Sequence, residues 1–332
     1  MFRTINRIWA VALLTATEGL RQPSFFFLLF AANALIALSP SFALFHLGEE
    51  VKMVADLGLS TILMVSTLMA LLTASATVSD EIEGRTALTM LSKPLRREEF
   101  LIGKFLGVAA TAAALVLLSV PVLLLTVRGQ KFGDSDDPVT QFWLKVLISA
   151  GAGLLLFGVC FVLRLALSRG LSLVTAFWAA FAVATALVFL LLPARTRAGV
   201  PLWEWRMVVG MLFIALHAWV VSAMAVALAT RLTLVQSAVG TAVFFVVGHA
   251  SGGLLAPFRE DDGRWSMIGS ILRAILPDLD QFNITDALAT GFIDRPVQIP
   301  WDVVGSSTLY ALLYGAALLA IGASLFSKRE LA

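Results

Sequence analysis

Few residues in this chain have side chains suited to acid–base, nucleophilic or metal chemistry. His217 and His249 lie inside long apolar runs, and the single cysteine, Cys160, lies in another. Ionisable groups at membrane depth are functional candidates by default. One reading is therefore a membrane-embedded enzyme working through these two histidines. The opposing reading is packing, since neutral histidines also donate hydrogen bonds between helices. Neither histidine belongs to an H-x-x-x-H or H-E-x-x-H motif and no carboxylate shares their runs, so no metal site is spelled out. Cys160 excludes a disulfide framework and reads as a small buried hydrophobe. An ion-coupled carrier would place a carboxylate deep in an apolar run, and none of the runs has one away from its ends.

The densest chemistry is charge, and it collects at Ser79 to Lys104, between two apolar runs. Ser79 or Asp80 can cap a helix start. Asp80, Glu81 and Glu83 then occupy its first turn, where acids favour the positive end of the helix dipole. Gly84 loosens that turn. Ala87, Leu88, Met90 and Leu91 form an apolar stripe at three- and four-residue spacing, and Pro94 ends the helix by disfavouring helical backbone at Lys93. A second helix restarts near Arg96, with Glu98 and Glu99 in its first turn, and continues through Gly103 and Lys104 into the next apolar run. A solvated loop needs neither the stripe nor the proline break. A short amphipathic helix fixed at both ends to membrane spans suits a cleft on a partner whose movement it passes on.

The elements that hold these residues are membrane helices. The composition is 59% hydrophobic and 14% charged, with a mean hydropathy of +0.91, outside the range of a soluble domain. Runs of about 20 apolar residues recur, enough to cross a hydrocarbon core of roughly 30 Å. They lack the ten-residue alternation of barrel strands, and the formal charge of +2 does not suggest a nucleic-acid partner. The spans fall at about 24–45, up to 78, 105–127, 142–163, 171–192, 207–229, 234–256 and 303–326. This predicts an all-α polytopic protein of about eight spans, organised as a single domain over 1–332. Asn33 and Pro40 interrupt the first span, where a neighbouring helix or a carbonyl one turn back can satisfy the polar groups they free.

Residues 1–22 read as an interfacial helix, with Ile5, Ile8, Trp9, Ala12 and Leu13 at helical spacing and no small-x-small cleavage site. Residues 257–300 read as an external segment on the membrane surface. It contains an amphipathic helix through Met267, Ile268, Ile271, Leu272, Ile275 and Leu276 that stops at Pro277, and a second helix starting at Thr285 or Asp286. Trp143, Trp203, Trp205, Trp219, Trp265 and Trp301 fall mostly near span ends, as an aromatic belt would. With an even span count and both termini cytoplasmic, 13 Lys and Arg lie inside against 11 outside. Four of those outside fall in the long last loop, where the positive-inside rule is weakest.

The stretch D-E-I-E-G-R-T-A-L-T-M-L-S-K-P-L-R-R-E-E-F-L-I-G-K-F-L resembles the coupling region of ABC-2 type transporter permeases. There an acidic E-x-G-T start, an L-L-S-x-P core and an R-x-x-x-x-x-G-K finish recur. L-P-D-L-D-Q-F-N-I-T-D-A-L and the closing F-S-K-R-E-L are similar to the end of the same family. The chain departs from the pattern at Arg85 and Arg96, and eight spans rather than six would mean one added hairpin. The resemblance implies the transmembrane subunit of an ABC exporter in the cell inner membrane, multi-pass, paired with a second permease copy and a separate ATP-binding subunit. It implies no catalytic residues and no cofactor bound directly, ATP and Mg being held by the partner. It assigns contact with that partner to Asp80, Glu81, Glu83, Gly84, Arg85, Thr86, Leu88, Leu91, Ser92, Pro94, Arg97, Gly103 and Lys104. The sequence agrees on one point independently: no G-x-x-x-x-G-K-[ST] is present, since Glu98 stands at the glycine position upstream of Gly103-Lys104.

Overall fold

The computed structural model describes residues 2–43, 50–79, 96–130, 205–259, 264–284 and 299–327, with the single helical positions Gly151, Gly158, Val162, Leu165 and Val183. The described residues form α1 (Phe2–Arg21), α2 (Pro23–Ala43), α3 (Glu50–Ala74), α4 (Arg97–Gln130), α5 (Trp205–Ala229), α6 (Leu234–Leu255), α7 (Met267–Ile275) and α8 (Trp301–Ser327). Six stretches are long and apolar enough to cross a membrane: Pro23–Phe42, Val51–Val78, Arg97–Val127, Val208–Ala229, Leu234–Phe258 and Trp301–Ser327. They match six of the expected spans. The other two, at 142–163 and 171–192, lie outside the described residues apart from the single positions just named.

The centre of the bundle is α4. At 34 residues it is about 51 Å long, and Phe100, Phe105, Val108, Ala112, Leu115, Leu118 and Val122 bury it against its neighbours. Its polar residues are accommodated within helices. The hydroxyls of Thr111, Ser119 and Thr126 donate to carbonyls one turn back. Asn33 of α2 donates from Nδ2 to Leu29 O (2.7 Å) and to Ser119 Oγ (3.2 Å), the two kinds of partner expected for it. α3 ends in a π-helical turn, Ser75–Ser79, directly before the charged segment; such turns recur at functional sites.

The contacts along α4 fix the directions of the other helices. Leu101 and Ala227 both face Gly322, and Trp219 lies against both Phe105 and Gly315. Thus α5 and α8 run parallel to each other and antiparallel to α4. The α5–α6 link closes in a tight turn, with Arg231 and Leu232 N–H donating to Leu228 O. The ends of α3, α5 and α8 and the start of α4 therefore gather at one end of the bundle, the Arg97 end. α4 finishes and α5 begins at the opposite, Trp301 end.

α1 is the amphipathic helix expected, with Ile5, Trp9 and Leu13 exposed. Its other face is packed against protein: it runs parallel to α4 in register, Arg7 beside Glu99 and Gly19 beside Thr111. A bend at Gln22 and a proline at the first position of α2, where its missing N–H costs nothing, carry the chain on along the second half of α4.

The segment before α8 goes deeper than a surface position. Ser266 caps α7, accepting from Gly269 N–H at 3.1 Å, and Ser266 N–H donates to Phe258 O, so α7 begins near the Trp301 end. At its other end Ile275 O accepts from Tyr314, a residue about 20 Å along α8 from Trp301. Leu279 N–H donates to Gly248 O, and Leu279 and Phe282 are fully buried in the core. The stretch dips into the bundle and turns at 276–279. Gly248 permits it: a Cβ there would lie 2.5 Å from Leu279 Cδ1.

Candidate functional site

Of the residues assigned to partner contact, Asp80, Glu81, Glu83, Gly84, Arg85, Thr86, Leu88, Leu91, Ser92 and Pro94 lie outside the described residues. Arg97, Gly103 and Lys104 are described, and they form a charged collar at the Arg97 end. The helix restart is where the sequence places it: Arg97 opens α4, Glu98 and Glu99 occupy its first turn, and Glu99 Oε2 accepts from Arg96 N–H at 3.2 Å. That bond satisfies one of the orphan donors of a helix start.

Arg97 reaches across to the last described turn of α8. Its Nη1 donates to Phe326 O (3.1 Å) and Ser327 O (2.9 Å), and its guanidinium sits 5.7 Å from the Phe326 ring centroid. Phe326 in turn stacks on Phe100 at 6.1 Å. Arg231, in the α5–α6 link, donates from Nε to Leu325 O at 2.8 Å and from Nη2 to the same oxygen. Three consecutive carbonyls in the last described turn of α8 are thus held by two cations placed where the helix dipole favours them. One cation belongs to the foot of α4 and the other to the α5–α6 turn.

α1 closes the collar on the other side. Arg7 Nη1 lies 3.8 Å from Glu99 Oε2, and Lys104 Nζ lies 3.8 Å from Glu18 Oε2 and 5.7 Å from the Phe100 ring centroid. Lys104 is fully buried between α1 and the core. The spacing Gly103-x-x-x-Gly107 makes this approach possible. A Cβ at Gly103 would meet Val11 Cβ at 2.7 Å and Ile8 O at 3.0 Å; one at Gly107 would meet Thr15 Cβ at 2.5 Å and Ala12 O at 2.8 Å. Small residues four apart let backbones touch in this way. Sequence reading recognised Gly103-Lys104 as a motif finish but missed its partners Glu18 and Thr15, which lie in another helix.

The structure brings the two histidines together. The rings of His217 and His249 lie 5.3 Å apart, caged by Phe245 and Phe282. His249 Nδ1 is 3.0 Å from Phe245 O. Both ring nitrogens of the fully buried His217, and Nε2 of His249, have no hydrogen-bond partner among the described residues. No metal-binding group of three occurs among those residues either. Among the described residues the pair has neither a carboxylate to orient an imidazole nor a third metal ligand.

A family model described as "ABC-2 family transporter protein" matches residues 26–202, more than half of the chain. No curated protein matches it.

Proposed function

Because the chain belongs to the ABC-2 transporter family, we propose that it is the permease subunit of an ATP-driven exporter, moved through residues 79–104 by a separate ATP-binding subunit. The permease role and the membrane setting follow from the family. The drive, its direction and its entry point are our reading. One observation carries it: Arg97, at the foot of the helix leaving the charged segment, holds the final carbonyls of α8 at Phe326 and Ser327. A displacement entering at 79–96 therefore meets a rigid joint with α8, with the α5–α6 turn through Arg231, and with α1 through Glu99 and Lys104. ATP and Mg would be held by the partner, and two permease copies would enclose the pathway. The Arg97 end would face the cytoplasm of a cell inner membrane, as its concentration of Arg and Lys favours. The first contact would be made by Asp80 to Pro94, while Gly103 and Lys104 would act inside the bundle as a relay.

The test is purification of the tagged chain in mild detergent with an assay of ATP hydrolysis. The expected result is a co-purifying ATP-binding subunit whose hydrolysis changes in an Arg97→Ala complex. Recovery of well-folded chain with no ATP-binding partner would overturn the proposal.

A further inference from the structure

At the Trp301 end, above the dip of the 264–284 segment, lies a cavity of about 400 Å³, within the usual range of ligand sites, roughly 300–1,000 Å³. It is lined by Arg259, Trp265, Arg273, Asp278, Asp280 and Gln281, with Ser251 and Leu255 of α6. Its lining carries charges of both signs. Arg259 and Arg273 lie 6.0 and 5.1 Å from the Trp265 ring centroid, and neither has a carboxylate within ion-pair distance among the described residues. Asp278 contributes only its main chain to hydrogen bonds: its N–H to Tyr310 and its C=O to Gln281. Among the described residues, two guanidinium groups and two carboxylates therefore share one cavity without pairing with each other. Arg259, Arg273 and Asp280 are exposed and Asp278 is half-buried, so charges of both signs stand open to a ligand entering the cavity.

The surroundings say what kind of ligand. The cavity lies where α7 enters the membrane part of the bundle, and Ile268, Ile271 and Ile275 of α7 and Leu254 of α6 are exposed and apolar beside it. We propose that this cavity binds a zwitterion joining a phosphate ester to an ammonium group, the chemistry of a phosphoethanolamine headgroup. The phosphate faces Arg259 and Arg273, whose planar forks suit it, and the ammonium faces Asp278 and Asp280. Gln281 and Trp265 complete the wall. When the zwitterion is a lipid headgroup, its chains lie along the apolar face of α7. A net anionic headgroup brings the phosphate but leaves both carboxylates unmatched, so the site discriminates against it.

The test uses the full chain in nanodiscs containing phosphatidylethanolamine with a photoactivatable acyl chain, against phosphatidylglycerol carrying the same chain. Labelling of the peptides covering 251–281 is read by mass spectrometry. The expected result is capture of the ethanolamine lipid over the glycerol lipid by about fivefold. Arg273→Ala should lower that capture to the glycerol-lipid level, and Asp278→Asn should erase the preference. Soluble glycerophosphoethanolamine separates the sources: competition shows that the free compound binds, and lack of it with lipid capture retained shows that the lipid is required. Equal labelling by both lipids in the unmodified chain, or none in these peptides, would overturn the proposal without recourse to any variant.

Discussion

Arg97→Ala is the perturbation on which the structural account can be worked through most fully. The substitution removes both hydrogen bonds from Arg97 to the Phe326 and Ser327 carbonyls and the contact with the Phe326 ring. A hydrogen bond to a charged group contributes about 1.5–3 kcal/mol. Here Arg97 is half-buried and the Ser327 carbonyl is exposed, so about 1.5 kcal/mol for the pair is the defensible figure. The loss is local to the last turn of α8, whose opening becomes roughly tenfold easier. Hydrogen exchange of the amides at 322–327 reads this directly, on the chain alone and with no knowledge of substrate or partner. Arg97→Lys keeps the charge without the fork and should fall between the two. Because Arg231 holds the adjacent Leu325 carbonyl, Arg231→Ala should give a similar increase, and the double variant should depart from additivity, as residues sharing one target do. Unchanged exchange at 322–327 in Arg97→Ala would refute the clamp. A uniform increase over all helices would show that the residue supports the fold generally rather than this joint.

Other outcomes follow from the same geometry. Gly107→Leu forces side-chain atoms into Thr15 and the Ala12 carbonyl; thermal unfolding should show a loss of about 1–3 kcal/mol, with α1 the first element to become protease-sensitive. Glu18→Gln removes the carboxylate 3.8 Å from the buried Lys104 and should cost about 1–2 kcal/mol; adding Lys104→Met should recover most of it in the same melt. Tyr310→Phe removes the acceptor of the Asp278 N–H, and exchange at 276–282 should rise while the ends of α8 stay protected. His217→Phe replaces an imidazole that has no hydrogen-bond partner among the described residues by a ring suited to the Phe245 and Phe282 cage. Stability should hold or improve and ATP hydrolysis by the complex should persist; lost function in a well-folded variant would favour a reading in which the histidines do chemistry.

What was legible in the sequence is what local pattern encodes. The apolar runs gave the six described spans, Glu98 and Glu99 after Arg96 gave the start of α4, and the Met267 to Leu276 periodicity with its stop at Pro277 gave α7. Pairings between distant residues were not legible. Nothing near Lys104 points to Glu18, and nothing near Arg97 points to Phe326, because a helix end accepts any cation that the fold brings to it. The dip at 276–284 escaped for a related reason. Pro277, Asp278, Asp280 and Gln281 make the stretch polar on average, while its two deep anchors, Leu279 and Phe282, are single residues that no periodic pattern reveals. The two histidines sat in separate runs, and only the antiparallel α5–α6 pair places them side by side.

The central claim is that an ATP-binding subunit drives this chain through the segment between α3 and α4. Its most direct measurement is cross-linking in native membranes from a cysteine placed at Glu83 or at Leu91, with the attached protein identified by mass spectrometry. The expected cross-linked protein is an ATP-binding subunit, with a yield that changes between ATP-bound and nucleotide-free conditions. Efficient cross-linking from both positions to other proteins, with no ATP-binding subunit among them, would contradict it.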